Sequence, residues 1–299
     1  SNLGNVLKDL GKLEDAELSY RKAIEVKPNF PEPNYNLGNT LKDLGKLEDA
    51  ELSYRKAIEI KPDYANAHSN LGNVLKDLGK LEDAELSYRK AIEVKPNFPE
   101  PNYNLGNTLK DLGKLEDAEL SYRKAIELNP DYAEAHYNLG NILRDLEQLQ
   151  DAELSLRKAI KLKPDYAEAH SNLGNILKDL GKLKEAEVFT RKAIEINPKL
   201  AKAYFNLSGL KYSNSNNDTW KNQLFSKNIL DDKSKVEQID IYFARANILH
   251  KGKKYKDSSN FLQLANQLKL TLHPSKADHI INQSKVLLIE SFQKVINKK

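Results

Sequence analysis

The sequence predicts an all-α fold in which antiparallel helix pairs stack into a right-handed α-α superhelix. Three observations carry the prediction. A block of 34 residues repeats along residues 1–204. Apolar residues inside each block fall at helical spacing. Glycine and proline stand at fixed places between those runs and punctuate them.

Residues 1–34 recur letter for letter at 69–102, and the block 35–68 returns at 103–136 with three changes, so the duplicated unit is two repeats long. Diverged copies follow at 137–170 and 171–204. A single helix pair cannot bury both of its faces, so a period of this length implies neighbours stacked over a continuous core. In the copy at 65–98, Ala67, Leu71, Val74, Leu75 and Leu78 form the apolar stripe of a first helix, A. Gly79 and Lys80 make the turn, because glycine ends a helix without steric cost. The second helix, B, runs from about Leu81 to Val94 with Ala84, Tyr88, Ala91 and Ile92 inward and Glu85 paired with Arg89 on its surface. Pro96 blocks its continuation. Gly72 lies about 100° around helix A from Leu71, and its missing Cβ lets helix B come close.

The regular array is expected over residues 1–212, its first repeat lacking the four residues that precede Ser1 in frame. Native sequence upstream, or a neighbour at that end, is expected to cover the exposed face. The complete lack of methionine points to an excised piece of a longer protein. A seventh helix A begins at Ala201, and the polar run Ser213 to Asp218 breaks the frame. Residues 213–240 read as a loop and connecting helix, 241–272 as a degenerate repeat, and 273–299 as a C-terminal capping helix.

This pattern resembles the tetratricopeptide repeat through Leu71, Gly72, Gly79, Ala84, Tyr88, Ala91 and Pro96, and departs from it at His68, Leu75 and Leu81. The C-terminal part resembles the N-terminal half of bacterial tetratricopeptide repeat sulfotransferases on Phe243, Ala244, Ala246, Gly252, Tyr255, Ala265 and Asn266. That resemblance implies a catalytic domain binding phosphoadenosine phosphosulfate on a Pro-Arg-Ser-Gly-Thr-Thr-like loop, which this chain lacks. The Ser-Gly of "LSGLKY" at Leu207–Tyr212 sits in helix A register and reads as packing. No cofactor is expected in the chain itself.

Composition narrows the function further. The absence of cysteine excludes disulfides, thiolate catalysis and cysteine zinc sites, and fits a reducing, cytoplasmic setting. No apolar run approaches the ~20 residues of a membrane span. Residues 1–200 hold 30 basic against 35 acidic side chains, net −5, whereas 201–299 hold 17 against 8, net +9. Nucleic acid is not an expected partner. The lysine run Lys251–Lys256 reads as a solvated turn, the carboxylates of "EDAE" as solvated surface, and His68, His136 and His170 as packing. The sequons at Asn206, Asn217 and Asn282 read as chance. With no catalytic constellation in view, the chain reads as a scaffold rather than an enzyme.

The remaining candidate site is the paired asparagine of "NLGN". With Leu71 at 0°, Asn70 falls near 260° and Asn73 near 200° at about 100° per residue, away from the buried stripe. The corresponding set is Asn36, Asn39, Lys42, Asn70, Asn73, Lys76, Asn104, Asn107, Lys110, Asn138, Asn141, Arg144, Asn172 and Asn175, with Tyr103 and Tyr137 as aromatic anchors. In tetratricopeptide superhelices this face lines the concave groove. Side-chain amides there can donate to and accept from a peptide backbone without reading its sequence. The Asn70 position resembles the asparagine ladder of O-linked N-acetylglucosamine transferases. Asn73 and Lys76 partly resemble a carboxylate clamp, weakened by Asp77 beside Lys76. A protein or peptide in the groove is the expected partner. The alternatives are a purely structural solenoid, in which the asparagines only link adjacent A helices, and self-association by end-to-end stacking.

Overall fold

The computed structural model describes residues 2–210 and 219–272 of the 299. Every regular element among them is helical. The expected loop at 213–218 and the expected capping helix at 273–299 lie outside the described residues, as do Asn217 and Asn282.

The chain forms two compact units, Ser1–Leu162 and Lys163–Lys299. In the first, A and B helices alternate: α1 Asn2–Asp9, α2 Leu13–Val26, α3 Pro31–Asp43, α4 Leu47–Ile60, α5 Ala65–Asp77, α6 Leu81–Val94, α7 Pro99–Asp111, α8 Leu115–Leu128, α9 Ala133–Asp145 and α10 Leu149–Leu162. Each A helix packs on its own B helix, from α3 onward on the B helix before it, and α3, α5 and α7 each also pack on the next A helix. No B helix approaches the following B helix comparably, so this unit curves with its A helices inside.

The turn between A and B is one motif used repeatedly. At Gly79 (φ 74°) the chain turns left-handed, the N–H of Gly79 donates to the Lys76 carbonyl at 2.9 Å and that of Lys80 to the Leu75 carbonyl at 2.8 Å. These bonds satisfy the last carbonyls of α5. Glu82 and Asp83 then occupy the first turn of α6, where the helix dipole favours negative charge. Prolines 31 and 99 open α3 and α7 with φ preset and no orphan N–H to lose.

The core is built from the predicted stripe: Leu71, Val74, Leu75, Ala84, Tyr88 and Ala91 are all buried. Glu85 differs from expectation. Its side chain is only 13% exposed, clasped by Arg89 at 2.9 Å and by Lys114 of the next repeat at 2.7 Å. Glu17 and Glu51 repeat the arrangement with Lys46 and Lys80. Hydrogen bonding from Lys46 holds the Glu17 carboxyl below its ordinary pKa. At Glu51 and Glu85 burial pushes upward, and the two cations overcome it.

The second unit contains α11 Ala167–Asp179, α12 Leu183–Ile196, α13 Ala201–Gly209, α14 Thr219–Leu224, a 3-10 turn Lys227–Leu230, α15 Lys235–Lys251 and α16 Tyr255–Leu272. A capping box between Ser234 and Glu237 starts α15. Lys251 is not simply part of a solvated turn. Its ammonium donates to the carbonyls of Ser208 (2.6 Å) and Leu210 (2.5 Å), neutralising the C-terminal end of α13. The α15–α16 turn also differs from the pattern: Gly252 has φ −77°, and Lys253 takes the left-handed position at 60°.

Candidate functional site: the asparagine face

In the first unit the predicted asparagines meet in pairs across successive A helices. The amide nitrogen of Asn70 donates to the Asn39 carbonyl at 2.8 Å, Asn104 to Asn73 at 3.0 Å, and Asn138 to Asn107 at 2.9 Å. Asn36 donates likewise to Asn5 at 3.2 Å. Each accepting oxygen holds a second donor, a tyrosine hydroxyl from the B helix of its own repeat. Tyr54 donates to Asn39 at 2.7 Å, Tyr88 to Asn73 at 2.7 Å and Tyr122 to Asn107 at 2.8 Å.

Gly72 makes that tyrosine bond geometrically possible. A Cβ at Gly72 would stand 2.7 Å from Cε1 of Tyr88, so the ring fills the space the glycine leaves and carries its hydroxyl past helix A to Asn73. Burial, with Asp77 adding to it, pushes the Tyr88 hydroxyl well above its ordinary pKa. It therefore stays a neutral donor.

Two hydrogen bonds thus meet on one oxygen at each junction, and part of every amide is left over. Asn39, Asn73 and Asn107 use their carbonyls and keep an NH₂ group without a partner among the described residues. Asn70, Asn104 and Asn138 use nitrogen and keep a carbonyl. All six are half-buried. One donor and one acceptor per repeat remain on the inner face.

The other predicted residues are placed less uniformly. The Tyr35 hydroxyl accepts from Asn70 and the Tyr103 hydroxyl from Asn138, both at 3.1 Å, while their rings lie 4.9 Å from Tyr64 and 4.8 Å from Tyr132. Tyr103 is half-buried, held by these contacts on the face where the asparagines lie. Lys76 pairs with Asp111 of the next repeat at 3.5 Å rather than with its neighbour Asp77, and Lys110 approaches Asp111 at 3.9 Å. Arg144 pairs with Asp145 at 2.7 Å. Lys42 has no carboxylate partner among the described residues. Tyr137 and Asn141 on α9 are half-buried, as is Asn172 on α11. A column of unpaired cations beside the amides is not what the structure presents.

In the second unit the pattern changes. Asn175 accepts from Lys178 at 2.8 Å and donates to Asp179 at 3.5 Å. Asn206, buried, donates to the Ser171 hydroxyl at 3.1 Å and its carbonyl at 3.2 Å, which closes that sequon to modification. The histidines tie helix A to the preceding loop: Nε2 of His68, His136 and His170 lies 2.8, 3.0 and 2.9 Å from the carbonyls of Pro62, Pro130 and Pro164.

The tyrosine partners were missed from the sequence, although a signal exists. Tyr20, Tyr54, Tyr88 and Tyr122 each follow the second asparagine of their repeat by 15 residues, and the next repeat's asparagine follows by 31. The tyrosine gives way to Leu156 and Thr190 in the diverged copies.

No curated protein matches the sequence. Among solved structures, YrrB, described as a TPR protein with an unusual peptide-binding site, is 28% identical with a TM-score of 0.56, covering 62% of this chain and 95% of its own. MamA is 27% identical with a TM-score of 0.53, covering 56% and 97%. Pseudomonas aeruginosa pilF shares the fold at 21% identity and a TM-score of 0.59, covering 69% and 94%. The family described as TPR repeat matches residues 4–45, 38–79, 72–113, 106–143 and 140–181, and the one described as Tetratricopeptide repeat matches 167–200. With helix pairs, turns and family matches in one register, the chain belongs to the tetratricopeptide repeat family.

Proposed function

We propose that this chain binds an extended peptide, or an extended segment of a protein, along the asparagine face of its first unit. The carrying observation is that both outer donors and outer acceptors survive the internal bonding. The carbonyls of Asn39, Asn73 and Asn107 are held by tyrosine and by the next asparagine, which fixes each amide with its NH₂ left over. Prefixed amides lose little freedom on binding. YrrB, which shares the fold at 28% identity, is described as having a peptide-binding site, which supports a peptide as the ligand class.

Asparagine-to-aspartate exchange at Asn73 and Asn107 tests this. Aspartate keeps the acceptor that Tyr88 and Asn104 need and removes only the outward donor. Peptides selected by display on the chain should bind the double variant about thirtyfold more weakly in fluorescence anisotropy, in line with about 1 kcal/mol for each of the two lost hydrogen bonds. Thermal stability should be retained. Unchanged affinity, or affinity lost only when Asn73→Ala also lowers stability, would leave the asparagines as structural links.

A second reading, end-to-end self-association, has one observation in its favour. Leu3 and Val6 are 64% and 55% exposed, while Leu71 and Val74, in the letter-perfect second copy, are 4% and 0% exposed beneath α4. That face accepts a helix. Leu3→Lys with Val6→Lys should abolish any such association.

We further propose that the chain is the substrate-recruiting arm of a cytoplasmic tetratricopeptide sulfotransferase, divided as 1–212, 213–240, 241–272 and 273–299. Support comes from the resemblance around Phe243, Ala244, Ala246, Gly252, Tyr255, Ala265 and Asn266. A Pro-Arg-Ser-Gly-like loop encoded after Lys299 in the native gene would support that parentage, and its absence would remove it. Phosphoadenosine phosphosulfate would then belong to the following domain.

A further inference from the structure

The outer side of the first unit carries an inversion. In each B helix a glutamate is tucked in while the leucine after it faces solvent: side chains of Glu17, Glu51, Glu85, Glu119 and Glu153 are 11–16% exposed. Leu18, Leu52, Leu86, Leu120 and Leu154 are 59–66% exposed. Single exposed leucines are ordinary, but a register-matched row of them is not. Copying alone does not account for it. In the diverged repeats Tyr88 has become Leu156 and Thr190, and Glu82 has become Gln150 and Lys184, yet the outer position remains Leu154 and Val188.

Four of the five leucines sit in a charged frame, with a glutamate four residues before on the same stripe and a lysine four after: Glu14–Leu18–Lys22, Glu48–Leu52–Lys56, Glu82–Leu86–Lys90 and Glu116–Leu120–Lys124, whereas Leu154 has Gln150 in the glutamate's place. These glutamates and lysines are all exposed. Lys56, Lys90 and Lys124 make only solvent-exposed i,i+3 pairs, which are weak and readily exchanged.

We propose that this row is the contact of a homodimer in which the B helices of two copies lie antiparallel. Reversing helix direction sets leucine on leucine and the glutamate of each stripe on the lysine of the other. Parallel helices would set glutamate on glutamate. A two-fold axis along the stacking direction brings a repeat opposite its own copy and satisfies the charges at the rungs where the two convex faces touch. Each stripe is about 12 Å long at 1.5 Å per residue, so even all four rungs would give a face of at most about 500 Å², below the roughly 800 Å² per partner of a standard interface, and the convex curve of the outer side reduces it further. The dimer is therefore weak and concentration-dependent.

Sedimentation equilibrium of the full chain, from 1 to several hundred micromolar, reads this directly. Wild type should pass from monomer to dimer, and Leu52→Glu with Leu86→Glu, at exposed positions, should remain monomeric with unchanged circular dichroism. Glu48→Lys with Glu82→Lys, and separately Lys56→Glu with Lys90→Glu, should each be monomeric alone and associate when mixed. A wild type monomeric throughout would overturn the proposal. So would dimerisation abolished by Leu3→Lys with Val6→Lys but untouched by the leucine and charge variants, since that outcome assigns association to the end face. Failure of the mixed charge variants to associate would overturn the antiparallel geometry.

Discussion

Glu147 occupies the left-handed turn position that glycine fills in the other regular repeats, and replacing it by glycine should stabilise the chain. Its φ is 62°, against 72–76° for Gly11, Gly45, Gly79, Gly113 and Gly181. The turn is otherwise the same: the N–H of Glu147 donates to the Arg144 carbonyl at 2.9 Å and that of Gln148 to the Leu143 carbonyl at 2.7 Å. An L-residue held left-handed costs roughly 1–2 kcal/mol. Glycine recovers that and loses about 0.4–1 kcal/mol through its freer unfolded chain. The difference favours Glu147→Gly by about 1 kcal/mol, or roughly 2–4 °C in Tm for a chain of this size. Gly79→Ala provides the mirror experiment, because a Cβ there meets nothing within 4 Å and only the backbone term changes. It should lower stability by a similar amount. Because repeat arrays unfold in segments, amide hydrogen exchange around residues 144–150 should accompany the melting curves, with slower exchange in Glu147→Gly. If Glu147→Gly melts no higher and exchanges no more slowly than wild type, left-handed strain is not what distinguishes this turn.

Other outcomes follow from the junctions. Tyr88→Phe should cost about 1 kcal/mol by urea unfolding, since Asn73 keeps the Asn104 bond and no buried acceptor is orphaned. Gly72→Ala should destabilise the chain despite a helix-propensity gain of about 1 kcal/mol, because the new methyl would stand 2.7 Å from the Tyr88 ring; a rise in Tm would show that the ring moves aside freely. Stability should fall in two acid steps. Burial lowers the pKa of His136 and His170 from 6.5, so their contribution is complete above pH 6.5 and is lost as pH drops through the depressed folded values. Glu17, Glu51 and Glu85, held below 4.5, contribute above that value and lose their share further down. A stability profile flat from pH 7 to 5 would refute the histidine step, and one flat from pH 5 to 3 the carboxylate step.

Helix boundaries were legible because glycine and proline act within a few residues of themselves. Gly79 and Pro96 end helices by local sterics, whatever packs nearby. The wheel of a single helix was also enough to set Asn70 and Asn73 off the buried stripe. It could not show that Asn104 would reach Asn73, since that contact is made by stacking rather than by either helix alone. The burial of Glu85 escaped for the same reason, Lys114 arriving from the next repeat. At the α15–α16 turn the sequence cue misleads by one position: Gly252 invites the left-handed turn, and the chain makes it at Lys253. Residues such as Lys251, which reach across to the end of another helix, have no signature in the sequence near them.

The junction chemistry also bears on how such a chain changes length. Each repeat carries its donor, as at Asn70, toward the repeat before it and its acceptor, as at Asn73, toward the repeat after it. The two ends of one repeat are thus plug and socket, and any copy that keeps Asn, Gly and Tyr in place fits any other. Unequal recombination between near-identical gene segments can then delete or insert a whole repeat and leave every new junction chemically complete. Length becomes a trait that can vary without repair elsewhere, and the verbatim recurrence of residues 1–34 at 69–102 is the kind of trace such an exchange leaves.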